Sequence, residues 1–163
     1  GARVLGEIRA YAFSSDGDHL STPSGDGILR AMQGALRMAG LTPRDVDYIC
    51  AHATSTPAGD RAEAESLTAL FKDRRPPVSS TKSMTGHELW MSGASQAVYC
   101  AIMADQGFIA PNINFEEPDE SSRGLHVLRE ALERPPKIAL CNAAGFGGTN
   151  SCLILGFQEP RIF

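Results

Sequence analysis

Two histidines sit where an imidazole can meet a ligand. His52 lies in AHATSTPAGD (51–60), directly ahead of Thr54, Ser55 and Thr56, and His87 closes STKSMTGH (80–87), five residues after Lys82. Imidazoles in such turns act as general acids and bases, or donate hydrogen bonds to charge developing on a carbonyl oxygen. A lysine beside a glycine turn fixes an anion or tunes a neighbour's pKa. The third motif is GFGGTN (145–150). Its glycines permit close backbone approach and exposed N–H groups, as an oxyanion hole requires, and equally the freedom of a lid. Phe146 between glycines is out of place in a core. The motif is not a dinucleotide fingerprint, which needs G-x-G-x-x-G ahead of a helix. Glu63, three residues after Asp60, reads most simply as half of a capping box. His52, His87 and Glu63 carry no metal-ligand spacing such as H-E-x-x-H, so no metal centre is expected. His19 and His126 read as surface or loop residues.

The elements that must position these groups follow from periodicity. RVLGEIRAYAF alternates as a strand, with Val4, Ile8 and Tyr11 as the inward candidates. Ile28, Leu29, Met32, Leu36 and Ala39 recur at helical spacing, and Gly40 ends that helix. DYICAHA is a short apolar strand, DRAEAESLTALF a helix, PVSST a strand and GASQAVYCAIMA a helix rich in small residues. HVLRE, KIALCN and SCLILGF read as strands. Alternating helices and short apolar strands predict an α/β fold, a mostly parallel sheet with helices on its faces. His52, Lys82 and the glycine motif each follow a strand directly. Ligand sites of such sheets lie at the carboxyl ends of strands, so the three motifs are expected to converge.

Bulk properties set the outer limits. The 163 residues suit one domain with a real core. A net charge of −4 argues against generic nucleic-acid binding. No 18-residue apolar run and no secretory signal is present, so neither a membrane span nor export is expected. Cys50, Cys100, Cys141 and Cys152 have no C-x-x-C spacing and sit among apolar residues; four buried, reduced thiols are expected, as in the cytoplasm.

AHATSTPAGD, SSTKSMTGH, GFIAPNINFEEPDE and NAAGFGGTN, in this order, resemble the C-terminal half of the β-ketoacyl-acyl-carrier-protein synthases. The resemblance runs from about residue 4 to 157. It implies a thiolase-like fold, in which residues 1–163 form the C-terminal half of a five-layered αβαβα subunit. It implies a 3-oxoacyl-[acyl-carrier-protein] synthase of fatty acid biosynthesis, an acyltransferase that condenses malonyl thioester with an enzyme-bound acyl group. His52 and His87 match the two histidines that promote malonyl decarboxylation and stabilise the enolate. Lys82 matches the lysine that organises them, and Glu63 the acidic residue behind it. Thr54 and Thr56 match the hydroxyls that bind the pantetheine arm. Phe146 matches the gatekeeping aromatic whose N–H serves the oxyanion hole. No cofactor is implied beyond the phosphopantetheine on acyl carrier protein. The implied partners are acyl carrier protein, the N-terminal half and a second subunit in a homodimer.

The departures are specific. Ala53 stands where the family has Gly, so a slightly displaced turn is expected. Trp90 and Met91 replace small residues; they fill core or interface space, or narrow the acyl pocket. Nothing matches the family's acyl-accepting cysteine, and without it the chain alone forms no acyl-enzyme. Two other readings stay open: a nucleophile-lacking scaffold or chain-length subunit, and another thiolase-fold acyltransferase.

Overall fold

Strands and helices alternate as the periodicity predicts, and the computed structural model describes residues 1–157 of the chain. The order is β1 (Glu7–Ser15), α1 (Gly25–Ala39), β2 (Tyr48–Cys50), α2 (Pro57–Phe71), β3 (Pro77–Ser79), the one-turn helix α3 (Lys82–Thr85), α4 (Ser92–Gln106), β4 (His126–Val127), β5 (Ile138–Gly145) and β6 (Thr149–Gly156). A short 3₁₀ turn, Leu89–Met91, leads into α4. The strands form one six-stranded sheet in the order β1-β6-β5-β2-β3-β4. β5, β2, β3 and β4 run parallel, while β6 is antiparallel to β5 and β1 to β6. The expected parallel sheet is therefore its central and β4 side, closed on the other side by a hairpin and the first strand.

Strand residues alternate between two cores, as a period of two requires. Ile49, Leu140, Cys152 and Ile154 face α1 and α2, with Met32, Leu36 and Leu67. Tyr48, Cys50, Cys141 and Leu155 face α4, with Cys100 and Met103. Each large apolar side chain so buried contributes about 1.5–3 kcal/mol. Helix α1 ends as expected: Gly40, at φ 65°, donates its N–H to the carbonyls of Arg37 and Leu36.

The facing of β1 is the reverse of the expectation. Ala10 is buried and Ala12 packs against the α1–α2 core, whereas Val4, Ile8 and Tyr11 are all exposed. Close packing decides this. A methyl group added at Gly34 of α1 would lie 3.1 Å from the Ala12 Cβ, so α1 rests on the strand at a spot where only small residues fit. Tyr11 and Phe13 instead stack at 6.3 Å on the opposite face, beyond the cover of α4.

Among the described residues, no helix is long and apolar enough to cross a membrane.

Candidate active site

Strands β5, β2 and β3 are parallel neighbours, so their carboxyl ends emerge on one side of the sheet. Those ends carry Gly145–Phe146, His52 and Lys82, and the three motifs converge as expected.

The turn that carries His52 is gripped through its backbone. Glu63 Oε1 accepts from the His52 N–H at 2.9 Å, and Oε2 from the Ala53 N–H at 2.8 Å. Asn142, on β5, donates its side-chain amide to the same Oε1 at 3.1 Å. On the other side, Lys82 Nζ donates to the His52 carbonyl at 2.6 Å. Glu63 is therefore not a helix cap. Helix α2 begins at Pro57, with Thr56 in the capping position, which places Glu63 in the second turn with 4% of its surface exposed. Proline at the first helical position was the overlooked signal. Burial raises the Glu63 carboxyl above its ordinary range, and the donated N–H groups partly oppose that rise. Burial also lowers the Lys82 ammonium.

His87 follows α3 and Gly86, whose positive φ of 75° favours glycine. Its Nδ1 accepts the Leu89 N–H at 3.0 Å, with Ser92 Oγ at 3.2 Å. A backbone N–H can only donate, so the ring proton lies on Nε2. Leu89 adopts φ 53° to deliver that hydrogen bond, a conformation costing roughly 1–3 kcal/mol in a non-glycine residue.

The two imidazoles lie edge to face, with ring centroids 5.7 Å apart and planes at 83°. Among the described residues, buried His52 Nδ1 has no hydrogen-bond partner. Burial, then the nearby Lys82 and His87, lowers the His52 pKa from 6.5 to about 4. The ring is neutral at pH 7.

Both histidines open onto a cavity of about 520 Å³ that also meets Thr54, Thr56, Glu63 and Phe146. Lys82 does not line it; it borders an adjoining cavity of about 570 Å³ and reaches the histidine pair through the His52 carbonyl. Thr54 Oγ1 and Thr56 Oγ1 lie 3.2 Å apart at the mouth. Gly59 makes that possible, because a Cβ there would sit 2.6 Å from Thr56 Oγ1. Ala53 has no left-handed φ, so the turn accepts its methyl group without backbone strain. Trp90 is 99% exposed at the cavity rim and fills no core.

Phe146, 84% exposed, tips the β5–β6 hairpin, whose turn uses Gly147 (φ 83°) and Gly148 (φ 73°). This turn is tethered. Gly147 donates to the Leu20 carbonyl at 2.7 Å, and the Asp16 N–H donates to the Gly148 carbonyl at 2.8 Å. Asn150 Nδ2 donates to Asp16 Oδ1 at 2.8 Å, and Asp16 Oδ2 accepts the Ser24 N–H at 2.9 Å. The polar loop SSDGDHLSTPSGDG between β1 and α1 thereby forms one wall of the cavity. His19 is a loop residue as expected, yet it borders the cavity, with Nδ1 accepting the Ser21 N–H. Gly27 of α1 leaves room for this wall, since a Cβ there would collide with the Asp16 carboxylate.

Cys141 points into the core beneath α4, opposite the cavity. A thiolase-like use of this thiol in the glycine turn therefore finds no geometric support.

Known proteins align with this arrangement. The family model described as "Beta-ketoacyl synthase, C-terminal domain" matches residues 5–116. 3-Oxoacyl-[acyl-carrier-protein] synthase 1 of Escherichia coli (strain K12) is 42% identical over 155 residues, 95% of this chain and 37% of that protein. The crystal structure of a β-ketoacyl synthase from Burkholderia phymatum STM815 superimposes with a TM-score of 0.90 at 35% identity, over 95% of this chain and 38% of that one. A type II polyketide synthase ketosynthase, solved with its acyl-carrier protein and bound to the hexaketide, gives 0.91 at 28% identity, over 97% and 40%. The chain thus spans well under half the length of the relatives it matches. By sequence and by fold alike, it belongs to the β-ketoacyl synthase family and carries that family's C-terminal domain.

Proposed function

We propose that this chain is the malonyl-decarboxylating half of a 3-oxoacyl-[acyl-carrier-protein] synthase of fatty acid biosynthesis. The observation that carries the reading is the pair of imidazoles, one neutral by burial and the other presenting Nε2–H, edge to face at 5.7 Å in one cavity. Two N–H donors aimed at a malonyl thioester carbonyl bind most strongly once the C–CO₂ bond breaks and charge gathers on that oxygen. The enolate carbon then attacks the acyl thioester carbonyl, and the enzyme's thiolate leaves. That nucleophile belongs to the N-terminal half. Thr54 and Thr56 hold the pantetheine arm, which makes the step effectively intramolecular. Phe146 gates the entrance and offers its backbone N–H to the tetrahedral intermediate. Lys82 and Glu63 position His52 through its carbonyl and its N–H. No cofactor takes part beyond the carrier's phosphopantetheine. The partners are acyl carrier protein, the N-terminal half and a second subunit, in the cytoplasm.

The test uses the full-length protein. His52→Ala and His87→Ala should each reduce release of CO₂ from malonyl carrier by about 10²–10⁴-fold while leaving acylation of the nucleophile in place. Undiminished CO₂ release from both variants would reject the assignment.

A further inference from the structure

Outside the cavity the molecule holds a second cluster of reactive atoms. Cys50 and Cys141 are directly paired residues on the parallel strands β2 and β5. Their side chains face α4, which presents Cys100. The three sulfurs all lie within 4.8 Å of one another, and the Cys100 and Cys141 sulfurs are 3.6 Å apart. None is in a disulfide, and at most 3% of any of the three residues is exposed. Linear spacing concealed this group, since the three residues are fifty and forty-one positions apart.

We propose that Cys50, Cys100 and Cys141 form a three-sulfur site for a soft monovalent d¹⁰ cation, copper(I). The donor set is all sulfur, with no carboxylate or imidazole in the group. Such donors select soft ions over magnesium, calcium or manganese. A metal–sulfur bond of about 2.3 Å in a trigonal site sets the sulfurs about 4.0 Å apart. That lies inside the observed range, so closure requires shifts of under an ångström. Structural zinc takes four ligands. The nearby Tyr48 hydroxyl is engaged with Ser79 at 2.9 Å, which leaves three donors. Each sulfur that ligates as a thiolate releases its proton to solvent, and no electron is transferred. The bound ion would join β2 and β5 to α4, two residues before His52 and one before Asn142. This site stands independently of the roles given to the histidines.

The experiment titrates the full-length protein anaerobically with copper(I) held by bathocuproine disulfonate. One equivalent should leave the chelator for the protein, with X-ray absorption giving three sulfur neighbours. Cys100→Ala should weaken that uptake at least tenfold, and Cys152→Ala should not change it. If Cys100→Ala fails to fold, Cys100→Ser carries the same expectation. Uptake that is absent, that survives every single substitution of the trio, or that is outcompeted by four-coordinate zinc would overturn the site.

Discussion

His52 is held neutral by its surroundings, and that has a measurable cost in acid. Its folded pKa of about 4 lies below the ordinary 6.5, so between these values the unfolded chain binds a proton that the folded chain refuses. This group's stabilisation is complete above pH 6.5 and is lost as pH falls towards 4, by on the order of 1–3 kcal/mol. Glu63 acts in the opposite sense: its raised pKa means that stability is lost as pH climbs above the ordinary 4.5. Comparing urea unfolding of the parent and a His52→Gln variant from pH 4 to 7 isolates the histidine. The parent should lose more stability than the variant on acidification; parallel curves would contradict it. Glu63 itself offers both oxygens to backbone N–H groups, and Asn142 donates a third hydrogen bond. Glu63→Gln turns one oxygen into a donor facing a donor. The expected loss is about 1–3 kcal/mol, read as a lower urea midpoint.

At the scale of elements, the tether between the β1–α1 loop and the glycine hairpin is the feature most open to attack. Gly27→Ala gains about 1 kcal/mol of helix propensity, but its methyl group displaces the Asp16 carboxylate. Asp16 then loses charge-assisted hydrogen bonds from Ser24 and Asn150, each worth about 1.5–3 kcal/mol. A net loss of about 2–5 kcal/mol is expected, with faster amide exchange at Gly147. Unchanged exchange would show that the hairpin does not depend on Asp16. The sequence made the elements legible because their signals are local. The periodicity of Ile28–Met32–Leu36 and the Gly40 stop give α1, and the apolar runs give β2, β5 and β6. The convergence of His52, Lys82 and Phe146 followed from where strands end. The facing of β1, the grip of Glu63 and the Asp16–Asn150 tether were not legible. Each is set by tertiary contacts that leave no periodic pattern: Glu63 reaches back ten and eleven residues to the turn, and Asp16 and Asn150 are 134 residues apart.

At the scale of the whole molecule, one face is unfinished. Leu89, Trp90 and Met91 precede α4, Val98 and Ile102 lie along its outer side, and Ile8, Tyr11 and Phe13 continue on β1; all are exposed. A face of this size on a 17.4 kDa chain calls for a cover. The N-terminal half of the synthase supplies it under the proposed function. Produced alone, the chain should sediment as dimers or larger species and bind an apolar dye. Co-expression with the N-terminal half should abolish both. A stable monomer with no dye binding would show that the face needs no partner.

Residue 52 is held from both sides by groups that never touch its ring: a carboxylate grips its N–H and an ammonium its carbonyl. The turn is thus a socket whose shape is independent of the plug it holds. New side chains can be seated there while the neighbouring hydroxyls and the glycine hairpin keep their places. Chemistry at this position can therefore change in a single evolutionary step without the architecture being rebuilt around it.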